Sequence, residues 1–128
     1  MSKVFIIDDD LIHQRIGHIM IEKHKIFDSF EGFTEALVAF NYIKKNINNN
    51  SLLPDVILLD LNMPNYDGWD FLDEYRSIYP LITHPIKIYI VTSSVDEKDK
   101  NRSETYPFVS GFISKPLSPE IIKNTLNL

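Results

Sequence analysis

Four short apolar runs in this chain each lead into a residue that can handle phosphate or metal. Val4-Phe5-Ile6-Ile7 precedes Asp8-Asp9, Val56-Ile57-Leu58-Leu59 precedes Asp60, Ile88-Tyr89-Ile90-Val91 precedes Thr92, and Phe112-Ile113-Ser114 precedes Lys115. Runs of this length, set between stretches of helical periodicity, read as strands buried on both faces of a parallel sheet. In such a sheet Asp8, Asp9, Asp60, Thr92 and Lys115 all emerge at one carboxyl edge, where open α/β folds place their sites. Three acids, a hydroxyl and an amine on successive strand ends form an ordered constellation that chance rarely produces.

The segments between these runs complete the pattern. Residues 4–7 give the first strand, and a helix opens near Asp10 with Ile12, Ile16, Ile19, Met20 and Lys23 at helical spacing, the four apolar members on one face. Residues 27–33 make a poorer strand. Thr34-Glu35-Ala36-Leu37 then starts a helix whose Ala36, Leu37, Phe40 and Ile43 face the sheet. The asparagine-rich stretch 46–51 favours a surface loop. Asn65-Tyr66-Asp67-Gly68 is a turn, and residues 69–78 form a helix that buries Phe71, Leu72 and Tyr75 until Pro80 stops it. Strands follow at 86–92 and from Phe108 or Val109 to Ser114. The last helix has a clear start, with Ser118 as cap, Pro119 at the first helical position and Glu120 at the positive end. Between Asp96 and Thr105 the chain has no apolar residue, so a helix there buries almost nothing and is the weakest of the set. Five strands alternating with five helices predict an α/β, flavodoxin-like, doubly wound parallel sheet of order 2-1-3-4-5.

The 128 residues suit one domain spanning 1–128, with no effector domain. Absence of cysteine excludes disulfides, thiolate metal sites and cysteine nucleophiles. No apolar stretch approaches membrane-spanning length, and Met1-Ser2-Lys3 leads straight into a strand, so a soluble, cytoplasmic protein with no membrane contact is expected. The formal charge of -5 argues against a direct nucleic-acid surface, which needs a basic footprint. Part of that excess is the acid cluster itself.

Asp8, Asp9 and Asp60 brought close together raise each other's pKa, and a hard divalent cation with oxygen ligands, Mg2+ above all, resolves the conflict. Lys115 supplies a compact cation able to reach the acids at rest and a phosphoryl oxygen afterwards. It also reads as a structural ion pair with Asp60, and both readings can hold at different times. Asp10 reads as a helix cap. The histidines His13, His18, His24 and His84 are scattered, show no ligand or triad pattern, and receive no catalytic role.

In this order the constellation closely resembles the receiver domain of two-component response regulators. Asp60-Leu61-Asn62-Met63-Pro64 and Lys115-Pro116 match that family's pattern, and the resemblance covers essentially the whole chain. It implies that Asp60 is the nucleophile and site of modification, accepting a phosphoryl group from a sensor histidine kinase or a histidine phosphotransfer protein. It further implies that Asp9 and Asp60 ligate Mg2+ directly, that Asp8 acts through water, and that the backbone carbonyl of Asn62 adds a ligand. Lys115 and Thr92 would contact phosphoryl oxygens, and the Lys115-Pro116 bond would be cis. Thr92 and Phe112 would form the switch pair, Phe112 standing where the family often has Tyr. Asn62 and Ser94 occupy positions that tune loss of the phosphoryl group. Output would pass through the face made by the fourth helix, fifth strand and fifth helix to an unidentified protein, the chain acting as a monomer or a phosphorylation-dependent homodimer. Activity beyond self-phosphorylation and self-dephosphorylation at Asp60 is not expected.

Two other classes use parts of this pattern. A haloacid-dehalogenase-like phosphatase also has an Asp nucleophile and Mg2+, but it wants a second Asp two residues later, where this chain has Asn62, and a cap or a longer chain. A flavodoxin-like nucleotide binder wants a Gly- or Ser-rich phosphate cradle after the first strand, where this chain has Asp8-Asp9-Asp10.

Overall fold

The computed structural model describes residues 2–93 and 96–127. Its strands are β1 (Lys3–Ile7), β2 (Ser29–Phe33), β3 (Val56–Asp60), β4 (Lys87–Thr92) and β5 (Val109–Ser114). Its helices are α1 (Leu11–His24), α2 (Ala36–Lys45), α3 (Gly68–Ile78), α4 (Glu97–Ser103) and α5 (Pro119–Leu126), with short 3-10 turns at Asn50–Leu52 and Tyr79–Leu81. All strand pairs are parallel, and the order is β2-β1-β3-β4-β5, as the strand and helix alternation predicts.

Alternation along each strand builds two cores, one on each face of the sheet. Phe5, Ile7, Ile57, Leu59, Ile88 and Ile90 point to the side covered by α2 and α3, where they meet Phe40, Ile43, Phe71, Leu72 and Tyr75. Val4, Ile6, Val56, Leu58, Tyr89 and Val91 point the other way, onto Met20 and Ile21 of α1 and Ile122 and Leu126 of α5. Every residue of β3 is buried, because that strand lies in the middle of the sheet with helices on both faces. Asp60 is its last residue, so the buried strand delivers a carboxylate to the edge.

Caps fix the helix starts nearest that edge. The Asp10 carboxylate accepts from the backbone N–H of Ile12 and His13, which is the capping role expected for it. Asp67 and Asp70 form a reciprocal capping box at the start of α3. Ser118 caps α5 through the Ile121 N–H, with Pro119 at the first helical position.

The expected face of α1 is only partly right, with Met20 buried but its other apolar members exposed. Its buried residues are Gly17, Met20 and Ile21, whereas Ile12, Ile16 and Ile19 are 69%, 52% and 55% exposed. The helix carries two apolar stripes, and the one containing Gly17 faces the sheet, where β1 comes close. A Cβ at Gly17 would lie 3.0 Å from Ile6 Cδ1. In α2, Ala39 rather than Leu37 completes the buried face, and Leu37 is exposed. The α4 expectation also needs adjustment. Only Ser103 of the helix is buried, but the segment is anchored at its end. The Arg102 guanidinium lies 4.4 Å from the centre of the Trp69 ring and 3.5 Å from Asp73 Oδ2. Tyr106, buried just beyond the helix, stacks against Trp69 and donates its hydroxyl proton to Asp73.

Gly68, the first residue of α3, shows how tightly the loop after β3 is folded. A Cβ there would stand 2.6 Å from the Asp60 carbonyl oxygen and 2.8 Å from Leu61 Cα, both backbone atoms that cannot swing aside. Gly68→Ala is therefore expected to cost about 1–3 kcal/mol, the usual cost of overpacking. Urea denaturation should show a lower midpoint with an unchanged slope.

Candidate functional site

The carboxyl edge of the sheet gathers the predicted residues in one place. Asp8 directly follows β1, Asp60 ends β3, Thr92 ends β4, and Lys115 directly follows β5. Asp8, Asp9 and Asp60 can each offer an oxygen within 4.8 Å of the others. Asp8 and Asp60 are buried, while Asp9 is exposed at the mouth. Lys115 Nζ donates to Asp8 Oδ2 at 3.2 Å and lies 3.4 Å from Asp60 Oδ1, so the ion pair foreseen for it includes both buried acids. Its backbone N–H donates to the Thr92 carbonyl at 2.8 Å, and the Lys115-Pro116 bond is cis.

The backbone around the pocket is held from several sides. The Asp10 N–H donates to Asp8 Oδ1 at 2.9 Å, and the Asn62 N–H approaches Asp60 Oδ1 at 3.4 Å. The Asp8 N–H continues the β1–β2 ladder to the Phe33 carbonyl at 2.9 Å. Gln14 ties these ends together, its Nε2 lying 2.9–3.0 Å from the carbonyls of Ile6, Asp8 and Phe33. Asn62 is exposed on the loop after β3. Thr92 is fully buried, and Phe112, opposite Ile90 within β5, is half-buried against the α2–α3 core. Ser94 lies outside the described residues.

Burial, and next the charge of Asp8, push the Asp60 carboxyl above the ordinary carboxylate range, against the opposing pull of Lys115 and the Asn62 N–H. The folded state therefore holds a proton on Asp60 at pH values where the unfolded chain has lost it. This contribution lowers stability as pH rises from the ordinary value through the raised one. One amine does not neutralise two buried carboxylates and a third beside them. A small hard cation would, and an all-oxygen donor set of this kind suits Mg2+ or a similar ion.

Two residues of the site were missed in the sequence. His13 brings Nδ1 to 3.3 Å from Lys115 Nζ and 3.5 Å from Asp8 Oδ2. The available signal was its place as third residue of a capped helix, where a side chain reaches back over the first turn. Gln14 had no such signal, because its partners are backbone carbonyls of two strands. The other histidines stay away from the pocket. His18 stacks on Phe30, and His84 pairs with Asp55 at 2.9 Å on the opposite edge.

This fold and edge define a phosphoryl-signalling switch of the receiver type, and comparison with known proteins agrees. The family profile described as the response regulator receiver domain matches residues 4–127, and the chain belongs to that family. The probable C4-dicarboxylate response regulator DctR of Halalkalibacterium halodurans is 29% identical over 126 residues, 98% of this chain, and the chain spans half of that regulator's length. A two-component response regulator from Cytophaga hutchinsonii superposes with a TM-score of 0.86 at 25% identity, covering 98% of this chain and 93% of its own. The receiver domain of the histidine kinase CKI1 from Arabidopsis thaliana, solved in complex with Mg2+ and BeF3-, shares the fold with a TM-score of 0.83 at 17% identity, covering 99% and 91% of the two chains. Receiver domains of this family bind Mg2+ at an acidic cluster and interact with histidine kinases and phosphotransfer proteins. Among the described residues, no helix is long and apolar enough to cross a membrane.

Proposed function

We propose that residues 1–128 act as one receiver domain in which Asp60 accepts a phosphoryl group from a phosphohistidine protein. The observation that carries this reading is Asp60 itself. It is a carboxylate 5% exposed at the end of the central strand, with Asp8 and Asp9 oxygens within 4.8 Å and the Lys115 amine at 3.4 Å. An Asp60 oxygen forms a bond to phosphorus while the bond from phosphorus to the donor nitrogen breaks, the electron pair leaving with the imidazole. Asp9 and Asp60, with the Asn62 carbonyl and with Asp8 through water, would hold Mg2+. When bound, the cation neutralises charge on the transferring group. Lys115 then turns its amine from the acids to a phosphoryl oxygen, and the Thr92 hydroxyl donates to another. Thr92 and Phe112 are the switch pair, and the α4–β5–α5 face is the output surface. Removal of the group by water regenerates the Asp60 carboxylate and releases phosphate.

The phosphodonor protein has a surface to use. Leu11, Ile12, Ile16 and Ile19 are all more than half exposed, and the stripe starts two residues beyond Asp9 at the mouth of the pocket. A partner that brings phosphohistidine to that mouth must cover this part of α1, so an apolar helical surface beside its histidine is the fitting occupant. Incubation with acetyl phosphate and Mg2+ should add the mass of one phosphoryl group, and a chelator should prevent it. The paired change Ile12→Glu and Ile16→Glu should leave that labelling in place yet slow transfer from a phosphorylated histidine protein by about tenfold or more, the effect of losing ~1.4 kcal/mol of association energy. No mass gain in the native protein would refute the acceptor role, and unchanged transfer to the paired variant would refute the docking surface.

A further inference from the structure

Three side-chain atoms surround the Lys115 ammonium: Asp8 Oδ2 at 3.2 Å, Asp60 Oδ1 at 3.4 Å and His13 Nδ1 at 3.3 Å. An ammonium has three N–H groups, enough to meet all three. Two of the acceptors are carboxylates that the proposed function commits to a cation. The third is a ring nitrogen on a different element, which accepts in the tautomer that carries its proton on Nε2. His13 is well placed to hold its ring there, because its backbone N–H is capped by the Asp10 carboxylate at 3.2 Å. The ring is half exposed, whereas the Lys115 side chain is largely covered.

We propose that His13 is a positioning residue for Lys115, keeping the amine beside Asp60 when the carboxylates turn to a bound cation. The inference rests on the proposed phosphoryl-acceptor function and assigns a role that reaches the reacting group only through Lys115. Its physical basis is the difference between the acceptors. Attraction between the ammonium and Asp8 or Asp60 weakens once a divalent cation shares their charge, and the cation itself repels the ammonium. A ring-nitrogen lone pair accepts without a formal charge for the cation to share, so in that tautomer its hydrogen bond persists. Lys115 thus stays at the mouth of the pocket, where its side chain can swing to the incoming phosphoryl group without first returning from solvent. The dependence on His13 is consequently larger with Mg2+ present than without it.

The test compares the native protein with His13→Leu, which keeps bulk but has no acceptor, and His13→Asn, whose side-chain oxygen replaces Nδ1. In 15N-labelled protein with saturating Mg2+, the Lys115 ammonium protons should be visible as a slowly exchanging signal in the native and Asn forms and absent in the Leu form. Without Mg2+ all three should show it. Labelling by acetyl phosphate at saturating Mg2+ should slow about tenfold in the Leu variant, the loss of one hydrogen bond to a charged group, and recover in the Asn variant. A persistent ammonium signal in the Leu variant overturns the proposal, as does a labelling rate equal to the native one. Failure of the Asn variant to recover either property also overturns it, because shape rather than acceptance would then matter. If the native protein takes no phosphoryl group at all, the acceptor function has failed, and the ammonium signal still decides whether His13 holds Lys115.

Discussion

Asp60→Asn is expected to abolish phosphoryl uptake completely, while the protein stays folded. The amide has nearly the volume of the carboxyl group but is not a nucleophile, and among the described residues no other acid ends a strand at the centre of the sheet. Unfolding would not explain the loss. Burial already disfavours the ionised form of Asp60, so a neutral side chain relieves a cost there, and Lys115 keeps its bond to Asp8. Intact-mass measurement after incubation with acetyl phosphate and Mg2+ reads the first part, and chemical denaturation reads the second. Native-level label on the variant would remove Asp60 from its role.

The second large effect concerns two adjacent acids. Asp9→Ala should weaken Mg2+ binding by about tenfold or more, since it deletes one of three oxygens that can converge on a cation. Asp10→Ala should leave the affinity near the native value and instead lower stability by about 1 kcal/mol, the usual worth of a cap. The difference follows from where the carboxylates point: Asp10 Oδ1 is already occupied by the N–H groups of Ile12 and His13. Calorimetric titration with Mg2+ would separate the two variants, and equal affinities would contradict the assignment.

The sheet was readable because its strands are short apolar runs with chemistry at their ends, and parallel pairing puts those ends together whatever the details of packing. Asp8, Asp9, Asp60 and Lys115 meet for that reason. The capped starts of α1 and α5 were equally local, since Asp10 and Ser118 act on N–H groups two and three residues away. Helix faces were harder. Hydrophobic spacing cannot say which of two apolar stripes a sheet will select, and in α1 the selected stripe includes Gly17, which has no side chain to count. The anchoring of α4 was invisible for another reason. It depends on Trp69 and Asp73 of α3 meeting Arg102 and Tyr106, a contact between elements about thirty residues apart. His13 was passed over because a lone histidine carries no pattern, and only the position of Lys115 gives it meaning.

The chain has one tryptophan, and it sits where two helices touch. Trp69 follows the loop that leaves Asp60, and the positive charge over its ring belongs to α4. Indole emission depends on the charge near the ring face. Its brightness is thus an optical ruler between the loop that receives the phosphoryl group and the helix assigned to output. Without Arg102 over the ring, that charge would be lost and only the stacked Tyr106 would tie the same light to the end of α4.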